Sequence, residues 1–185
     1  MKHLIINGHP NQKSFCTRIC QKLHSTLSNT SLLSLYELSF NPVFNGTYSA
    51  NDLEPDLQNA QAKIKSAAHI TLVFPTWWWS VPALLKGFLD RTLTPGFAFS
   101  YKSSTSQIQQ KLLKGKTATI ITTMDSPKWF AKYLMGNVLK HQIAKGVFGF
   151  CGIKVTRIIV LDRIKFRESS EKQKMIDHLI AKLKA

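Results

Sequence analysis

The chain has 185 residues, a length within the range of one domain, and 44% of them are hydrophobic, which is enough for a packed core. Its net charge of +15 lies mostly in the second half, since residues 1–101 carry 8 Lys and Arg against 5 Asp and Glu and residues 102–185 carry 17 against 5. There is no signal-peptide pattern, no apolar run near the about 20 residues of a membrane span and no CxxC pair among the three cysteines, so we expect a soluble, cytoplasmic protein with reduced thiols.

The first predicted strand, Lys2 to Asn7, runs into a polar loop that ends at Ser14, the predicted N-cap of a helix. Unpaired N–H groups and the positive end of the helix dipole converge at such a terminus, so Lys13 and Ser14 mark a candidate anion site. The loop has no glycine-rich fingerprint, and an ordinary capped helix explains the same residues equally well. The buried face of this helix is predicted to contain Phe15, Ile19, Cys20, Leu23 and Leu27, with Cys16 and Cys20 as small core residues.

A second strand is predicted over residues 31–36, and a long loop over 37–55 is of the kind that often covers a site. A weakly apolar helix over 56–68 leads to the strand His69 to Phe74, which is nearly all apolar or β-branched and should be buried on both faces. The next helix, from Val81 to Leu89, has its apolar residues at helical spacing, with Ser80 as its N-cap and Pro82 in its first turn.

Between this strand and this helix lie Trp77, Trp78 and Trp79. They cannot all point into one core, because a strand alternates its side chains and a helix sweeps three residues through about 200°. At least one must face water or a ligand. Two interpretations stay open: a planar aromatic ligand stacks in the crevice at this strand end, or two of the indoles are core and one contacts a partner.

After this helix, the aromatic residues of 97–101 suggest an extended segment or another wall of the cleft. The fourth strand is predicted over 116–123, a helical region over 128–145, a bridge over 147–152, the fifth strand over 155–161 and a basic amphipathic helix over 168–184. The apolar side of that last helix is predicted to contain Met175, Leu179, Ile180 and Leu183.

The alternation of strands and helices predicts one α/β domain, residues 1–185, with a five-stranded parallel sheet and helices on both faces. In the order 2-1-3-4-5, the first and third strand ends are neighbours, so the loop 8–14 and the aromatic loop 75–80 flank one crevice. A ligand with a phosphate at one end and a planar ring at the other would span them.

Several motifs then resemble one known family. In chain order they are Gly8-His9-Pro10 with Ser14-Phe15, Phe40-Asn41-Pro42, Phe74-Pro75-Thr76-Trp77-Trp78, Val81-Pro82-Ala83-Leu84-Leu85-Lys86-Gly87, Pro95-Gly96-Phe97-Ala98-Phe99, Thr122-Thr123 and Phe150-Cys151-Gly152. Together they resemble the NAD(P)H:quinone oxidoreductases of flavodoxin-like fold, a family that also contains the modulator-of-drug-activity proteins and the ancillary subunits of potassium-efflux systems.

The resemblance implies a homodimeric flavoprotein that holds FAD or FMN, takes hydride from NAD(P)H and passes two electrons to a quinone-like acceptor in ping-pong order. It places three groups of residues around the flavin: His9, Ser14, Phe15 and Cys16 near the phosphate; Pro75, Thr76, Trp77, Trp78 and Trp79 around the ring; and Thr122, Thr123, Met124 and Asp125 at its other edge. Backbone amides around Trp78 and Thr123 are the candidate donors to the reduced ring. No metal site is implied.

The chain departs from the family pattern where some members carry a glycine pair and then a tyrosine and a histidine implicated in proton handling. Here Met124-Asp125 follows the threonines and Phe130, which cannot donate a proton, falls at the tyrosine position. Tyr133, His141 or a water molecule remain as candidates for the proton relay. If none of them acts as the relay, quinone reduction should be inefficient. Lys13 replaces a small hydroxyl residue of some relatives, and a cation beside a phosphate is favourable.

Two other classes of function compete with the enzyme. The basic second half would suit a regulatory subunit that senses flavin or nucleotide and contacts a membrane transport partner, while a one-electron flavodoxin-type carrier fits the charge less well. The lysines follow no nucleic-acid motif, so no nucleic-acid partner is expected.

Overall fold

The computed structural model describes residues 2–46, 48, 53–102 and 109–184. Its seven strands are β1 (His3–Asn7), β2 (Thr30–Ser34), β3 (His69–Pro75), β4 (Phe99–Tyr101), β5 (Gln109–Lys111), β6 (Thr117–Thr123) and β7 (Lys154–Leu161). Its helices are α1 (Phe15–Thr26), α2 (Pro55–Ser66), α3 (Ala83–Thr92), α4 (Lys128–Tyr133), a π helix (Lys140–Gly149) and α5 (Ser169–Lys184). Short 3₁₀ turns follow β2 and β7.

Five parallel strands form the central sheet in the order β2-β1-β3-β6-β7. Counted along the parallel strands alone, this is the predicted 2-1-3-4-5, so the flavodoxin-like α/β fold is confirmed. The order brings the carboxyl ends of β1 and β3 side by side, and β6 pairs with the other side of β3. The loops that follow these three strands therefore meet at one edge of the sheet.

Each face of the sheet is covered by helices, because the strand side chains alternate between two apolar cores. One core packs β-strand residues such as Leu72 and Phe74 against α2, α3 and the π helix. The other packs Ile5 and Ile121 against α1 and α5. Since Leu72, Phe74, Ile5 and Ile121 are all fully buried, burial of both faces fixes the register of the strands.

Several predicted boundaries and roles were wrong. The strand over 31–36 ends at Ser34, and the helical region over 128–145 is broken after α4 and resumes as the π helix, which occupies part of the expected bridge over 147–152. An extended segment over 97–101 is confirmed, because it contains β4, which pairs with β5 in a separate two-stranded sheet, whereas the alternative of a cleft wall is wrong. In α5, Leu179 and Ile180 are buried as predicted, but Met175 and Leu183 are only half-buried, and Ile176, which was not predicted, is buried.

The N-cap of α3 is Pro82, not Ser80. Ser80 instead closes a tight turn with Trp77. No helix among the described residues is long and apolar enough to cross a membrane.

A pair of histidines occupies the amino-terminal end of the sheet. His3 and His69 are partners on β1 and β3, with ring centroids 4.8 Å apart in an edge-to-face arrangement. His3 Nε2 lies 2.9 Å from the Thr71 hydroxyl, and the two ring nitrogens of His69 lie 2.7 and 3.1 Å from the hydroxyls of Thr117 and Thr119. A hydroxyl can donate to or accept from a neutral imidazole. It carries no negative charge, however, so nothing in these contacts would compensate the positive charges of two protonated rings.

We expect stability to fall as the pH drops from about 6.5 towards 4. Burial and then the neighbouring His69 lower the pKa of His3 from 6.5 to about 4, and burial and then Arg157 lower the pKa of His69. The unfolded chain binds these protons at higher pH than the folded chain, so the stability present above pH 6.5 is lost on acidification, by about 1–2 kcal/mol once solvent screening of the half-exposed rings is allowed for.

Urea unfolding at several pH values measures this loss. The double variant His3→Asn/His69→Asn should flatten the pH slope between 6.5 and 4, whereas His178→Asn on the exposed side of α5 should leave it as in the parent. An unchanged slope in the double variant would remove the histidine pair as its cause.

Candidate functional site

A cleft of about 310 Å³ lies at the carboxyl ends of β1, β3 and β6, above the amino end of α1. It is lined by His9, Asn11, Ser14, Phe15, Cys16, Pro75, Thr76, Trp77, Thr123, Met124, Asp125 and Ile164. Its walls therefore come from the loop after each of the three strands and from the turn after β7.

The first wall is a loop fixed by side-chain hydrogen bonds. Asn7, fully buried at the end of β1, donates from Nδ2 to the Thr17 hydroxyl at 2.9 Å and accepts the His9 amide at 3.2 Å. The Thr17 hydroxyl donates to the Asn11 carbonyl at 3.1 Å, and Ser14 Oγ accepts the Thr17 amide at 3.1 Å as the N-cap of α1. These bonds hold the loop open without a glycine-rich sequence.

The amino end of α1 presents donors to the cleft. No acceptor is found among the described residues for the amides of Phe15 and Cys16, the first two of the helix, and the helix dipole adds positive potential there. Burial lowers the pKa of His9, and its Nδ1 accepts the Asn11 amide at 2.9 Å, so the neutral ring carries its proton on Nε2. The arrangement suits an anion such as a phosphate.

Hydroxyls and one thiol form the floor of the cleft and the layer directly beneath it. Thr76 and Thr122 lie with their hydroxyl oxygens 2.7 Å apart, and Cys16 Sγ lies 3.3 Å from the Thr123 hydroxyl. Burial raises the pKa of Cys16 to about 11, so the thiol is protonated at neutral pH and is a poor nucleophile. Cys16 therefore joins α1 to β6 as a packing residue, as its partner Cys20 does deeper in the core.

The second wall is a two-residue turn made of tryptophans. Trp77 and Ser80 exchange backbone hydrogen bonds of 3.0 and 2.9 Å, and Trp78 and Trp79 between them have φ of 49° and 58°. Positive φ at both central positions is typical of a type I′ turn, where Asn-Gly is preferred. Bulky side chains in the left-handed region cost about 1–2 kcal/mol each, and such strain tends to be kept at functional sites.

The turn sends the three indoles in different directions. Trp77, 45% exposed, lies edge-to-face on His9 at 5.4 Å and lines the cleft; Trp78 is 98% exposed; Trp79 is half-buried and tilted over Phe130 at 5.6 Å. The interpretation with two core tryptophans is therefore wrong. The expectation that at least one indole faces outward is confirmed.

We expect Trp78→Gly to stabilise the protein. Within one chain the exposed indole contributes little burial, and glycine relieves the left-handed strain while losing more backbone entropy on folding, so the free energy of unfolding of the monomer should rise by about 0.5–1 kcal/mol, measured at protein concentrations where the parent is monomeric. Urea denaturation measures the change. The matched control is Trp77→Gly, which relieves no positive φ and removes the contact with His9, so it should destabilise; a destabilised Trp78→Gly variant would refute strain at this turn.

The structure brings ten of the predicted site residues to this cleft: His9, Ser14, Phe15, Cys16, Pro75, Thr76, Trp77, Thr123, Met124 and Asp125. Trp78, Trp79 and Thr122 do not line it. Trp78 points to solvent, Trp79 packs on Phe130, and Thr122 is fully buried beneath Thr76.

Two lining residues were missed by the sequence analysis. Asn11 lies in the loop 8–14, which the sequence analysis identified, but no motif or spacing marked Asn11 itself as a site residue. Ile164 comes from the turn after β7, where Asp125 Oδ1 accepts the Lys165 amide at 2.8 Å and Met124 accepts the Ile164 amide at 3.2 Å. Ile164 could have been identified from the predicted order of the sheet, because the fifth parallel strand ends at the same edge as the strands that form the cleft.

The two catalytic candidates lie outside the cleft. Tyr133 is 72% exposed on α4, and His141 is exposed on the π helix. The described part of the loop over 37–55 also stays away from the cleft, because Pro42 lies against Gly87 of α3. The expectation that this loop covers the site is thus not met by its described residues.

A larger concavity of about 1240 Å³ lies along the outer edge of β7. It lacks the features of a cofactor site in this fold, because it is away from the carboxyl ends of β1 and β3 and contains no amino end of a long helix. We therefore assign the candidate cofactor site to the smaller cleft.

Comparison with known proteins supports the fold described above. A family described as having a flavodoxin-like fold matches residues 1–185. An uncharacterised NAD(P)H oxidoreductase of Haemophilus influenzae is 31% identical over 100% of this chain and 95% of its own length. NAD(P)H dehydrogenase [quinone] 1 of Rattus norvegicus is 34% identical over 58% of this chain and 40% of its own length.

Solved structures give the same picture of the fold. Smu.1420 from Streptococcus mutans is 34% identical, with a TM-score of 0.78 over 99% of this chain and 98% of its own. General stress protein 14 of Treponema denticola, in complex with FMN, has a TM-score of 0.70 at 20% identity over 98% of this chain and 95% of its own.

Proposed function

The chain belongs to the flavodoxin-like family that includes the NAD(P)H:quinone oxidoreductases, and from this membership we propose that it binds a flavin in the cleft and reduces a quinone-like acceptor with NAD(P)H. It is an NAD(P)H dehydrogenase (quinone)-like oxidoreductase. The observation that carries the proposal is the convergence of free helix-α1 amides and an aromatic wall on one cleft at the switch point of the sheet.

The residues present fit a flavin. The amides of Phe15 and Cys16 and the Ser14 hydroxyl form a donor set for a phosphate, and Trp77 with Pro75 supplies an apolar wall for a ring. A bound flavin would supply two-electron hydride chemistry, from NAD(P)H to the acceptor in ping-pong order. The protein's own share is to bind, orient and exclude water.

Backbone donors near the ring come from the tryptophan turn. The Trp77 amide is used inside the turn, whereas no acceptor is found among the described residues for the amides of Trp78 and Trp79, which leaves them free for a ligand. We infer that the positive φ values at these two residues turn their amides towards the bound ring, while their indoles lie outside the cleft. This division of roles gives a reason for keeping the strain.

We further propose a homodimer. Trp78, 98% exposed, and Trp79 on Phe130 form an aromatic surface beside the cleft, and exposed aromatic residues of this kind are enriched at protein interfaces. In a dimer formed there, a second copy would close the open side of the cleft. Light scattering of the purified protein tests the mass, and Trp78→Ser should shift it towards the monomer.

The absorption spectrum of the purified protein tests the function. We expect a flavin spectrum, with the released chromophore identified as FMN or FAD by mass, and anaerobic bleaching by NADH or NADPH followed by recolouring with a quinone. Parallel double-reciprocal plots would establish ping-pong order. A protein that stays colourless after incubation with FMN and FAD would overturn the proposal.

A further inference from the structure

We propose that the concavity along β7 is a docking site for an acidic protein segment that binds in extended conformation. The name edge groove is used below for this surface, formed by β7, the facing sides of α4 and the π helix, Lys111 of β5 and Lys182 of α5. It is separate from the cleft above α1, and its proposed role does not depend on flavin chemistry.

The edge groove follows a strand edge. Residues 153–160 line it continuously, including side chains that point to both faces of the sheet, so the groove runs along the edge of β7. In the part of the chain that the structure describes, β7 pairs with β6 and with no strand on its other side. An unpaired strand edge presents alternating N–H and C=O groups that can accept another extended chain.

The walls of the edge groove are strongly cationic. Its lining contains eight basic side chains and no carboxylate: Lys111, Lys128, Lys132, Lys140, Lys145, Lys154, Arg157 and Lys182. All eight are exposed, and none is in an ion pair with a carboxylate of the described residues. Uncompensated charge of one sign along a groove raises the local concentration of the opposite sign.

The charge excludes a second copy of this chain as the occupant. Edge-to-edge pairing of two β7 strands would bring two sets of eight cations together, and like charges facing each other across paired strands are destabilising. A segment rich in Glu or Asp meets no such penalty. The cationic walls thus protect the edge from self-association and select an acidic partner.

The edge also favours a peptide over a nucleic acid. A polyanion of either kind would gain from the lysines, but only a polypeptide can pair with the backbone groups of β7 at the strand repeat. Half-buried Val155, Ile158 and Val160 offer apolar contacts along the edge, and exposed Trp129 and Tyr133 stand at its rim. These contacts suit alternating acidic and apolar side chains.

A labelled peptide tests the proposal on the full-length protein. The probe is an alternating Glu-Val peptide of about ten residues, slightly longer than the eight of β7, and its binding is followed by fluorescence anisotropy. Three other probes separate the contributions: the same peptide with each Val replaced by Pro, an alternating Lys-Val peptide, and a single-stranded oligothymidine of equal charge.

We expect the Glu-Val peptide to bind at least 10-fold more tightly than the Glu-Pro peptide and the oligothymidine, and the Lys-Val peptide not to bind. The variant Lys145→Glu/Lys154→Glu should weaken Glu-Val binding at least 10-fold. Its matched control, Lys65→Glu/Lys174→Glu, makes the same change in net charge at exposed lysines outside the groove and should bind within 2-fold of the parent.

Each contrary result overturns the proposal. Equal binding of the Glu-Pro peptide or tighter binding of the oligothymidine would make the groove a general polyanion surface. If both lysine variants bound the Glu-Val peptide equally weakly, the net charge of the protein, and not the position of the lysines, would explain the binding. No binding of the Glu-Val peptide at low salt would mean that the edge is not a docking site. All four substituted lysines are exposed, so both variants should have the same melting temperature. Equal melting temperatures would show that a difference in binding does not come from misfolding of one variant.

Discussion

Replacing Ser14 by aspartate is expected to abolish binding of a flavin phosphate and to leave the apoprotein as stable as its parent. Ser14 Oγ accepts the Thr17 amide at 3.1 Å as the N-cap of α1, and aspartate is an equally good N-cap. The new carboxylate, however, would stand beside the free amides of Phe15 and Cys16, where the phosphate is proposed to lie. At a separation of about 4 Å, repulsion of about 4 kcal/mol corresponds to a loss of affinity of several hundred-fold.

Ser14→Ala should give a different pattern, with modest losses of similar size in stability and in phosphate binding. Loss of the cap costs about 1 kcal/mol of stability, whereas loss of one neutral hydroxyl weakens phosphate binding only about 10-fold. Thermal unfolding of the two apoproteins and fluorescence titration with FMN measure both effects. Riboflavin, which has the ring but no phosphate, is the ligand control: Ser14→Asp should bind it as the parent does. Unchanged affinity of Ser14→Asp for FMN would place the phosphate elsewhere.

Gly87→Ala is expected to destabilise the protein by about 3 kcal/mol or more, the largest change in stability that we predict. Gly87 lies in the middle of α3, where alanine would normally gain about 1 kcal/mol. Here an added Cβ would meet the Pro42 carbonyl oxygen and lie 2.6 and 2.7 Å from the Pro42 Cβ and Cα. These are backbone and ring atoms, so no flexible side chain can move aside.

The segment that contains Pro42 cannot easily withdraw. Arg91 of α3 donates to the Asn41 carbonyl at 2.8 Å and pairs with Glu54 at 2.7 Å, and Phe40 packs edge-to-face on Phe88. Urea denaturation of Gly87→Ala tests the clash.

The matched control is Gly115→Ala. No atom lies within 4 Å of the added Cβ there, and only the φ of +87° opposes it, so its cost should be about 1 kcal/mol. Similar losses at Gly87 and Gly115 would contradict a backbone clash at Gly87.

The sequence was sufficient for the order of the elements and for the first wall of the site. Strand β3 is apolar throughout, and α3 has a helical apolar stripe, so local periodicity identified both. Ser14 was identified as an N-cap because that preference depends on local hydrogen bonds between residues a few positions apart. The neighbouring ends of β1 and β3 followed from the alternation of strands and helices, because few connections between parallel strands are allowed.

The long-range details needed the tertiary structure. Ile164 reaches the cleft only because Asp125 holds the turn after β7, a contact across 40 positions of the chain. The π helix and the break after α4 depend on packing against the sheet, which overrides the helical pattern over 128–145.

Sequence by itself determined the class of fold, the apolar faces and the polar loop at the amino end of α1, since periodicity and capping act between near neighbours. Only the tertiary structure decided which way each tryptophan points and where the lysines collect. The left-handed turn at Trp78 and Trp79 is a backbone state that bulky residues rarely adopt and that the surrounding fold imposes. The edge groove unites lysines from α4, the π helix, β5, β7 and α5, and no local pattern connects residues that far apart.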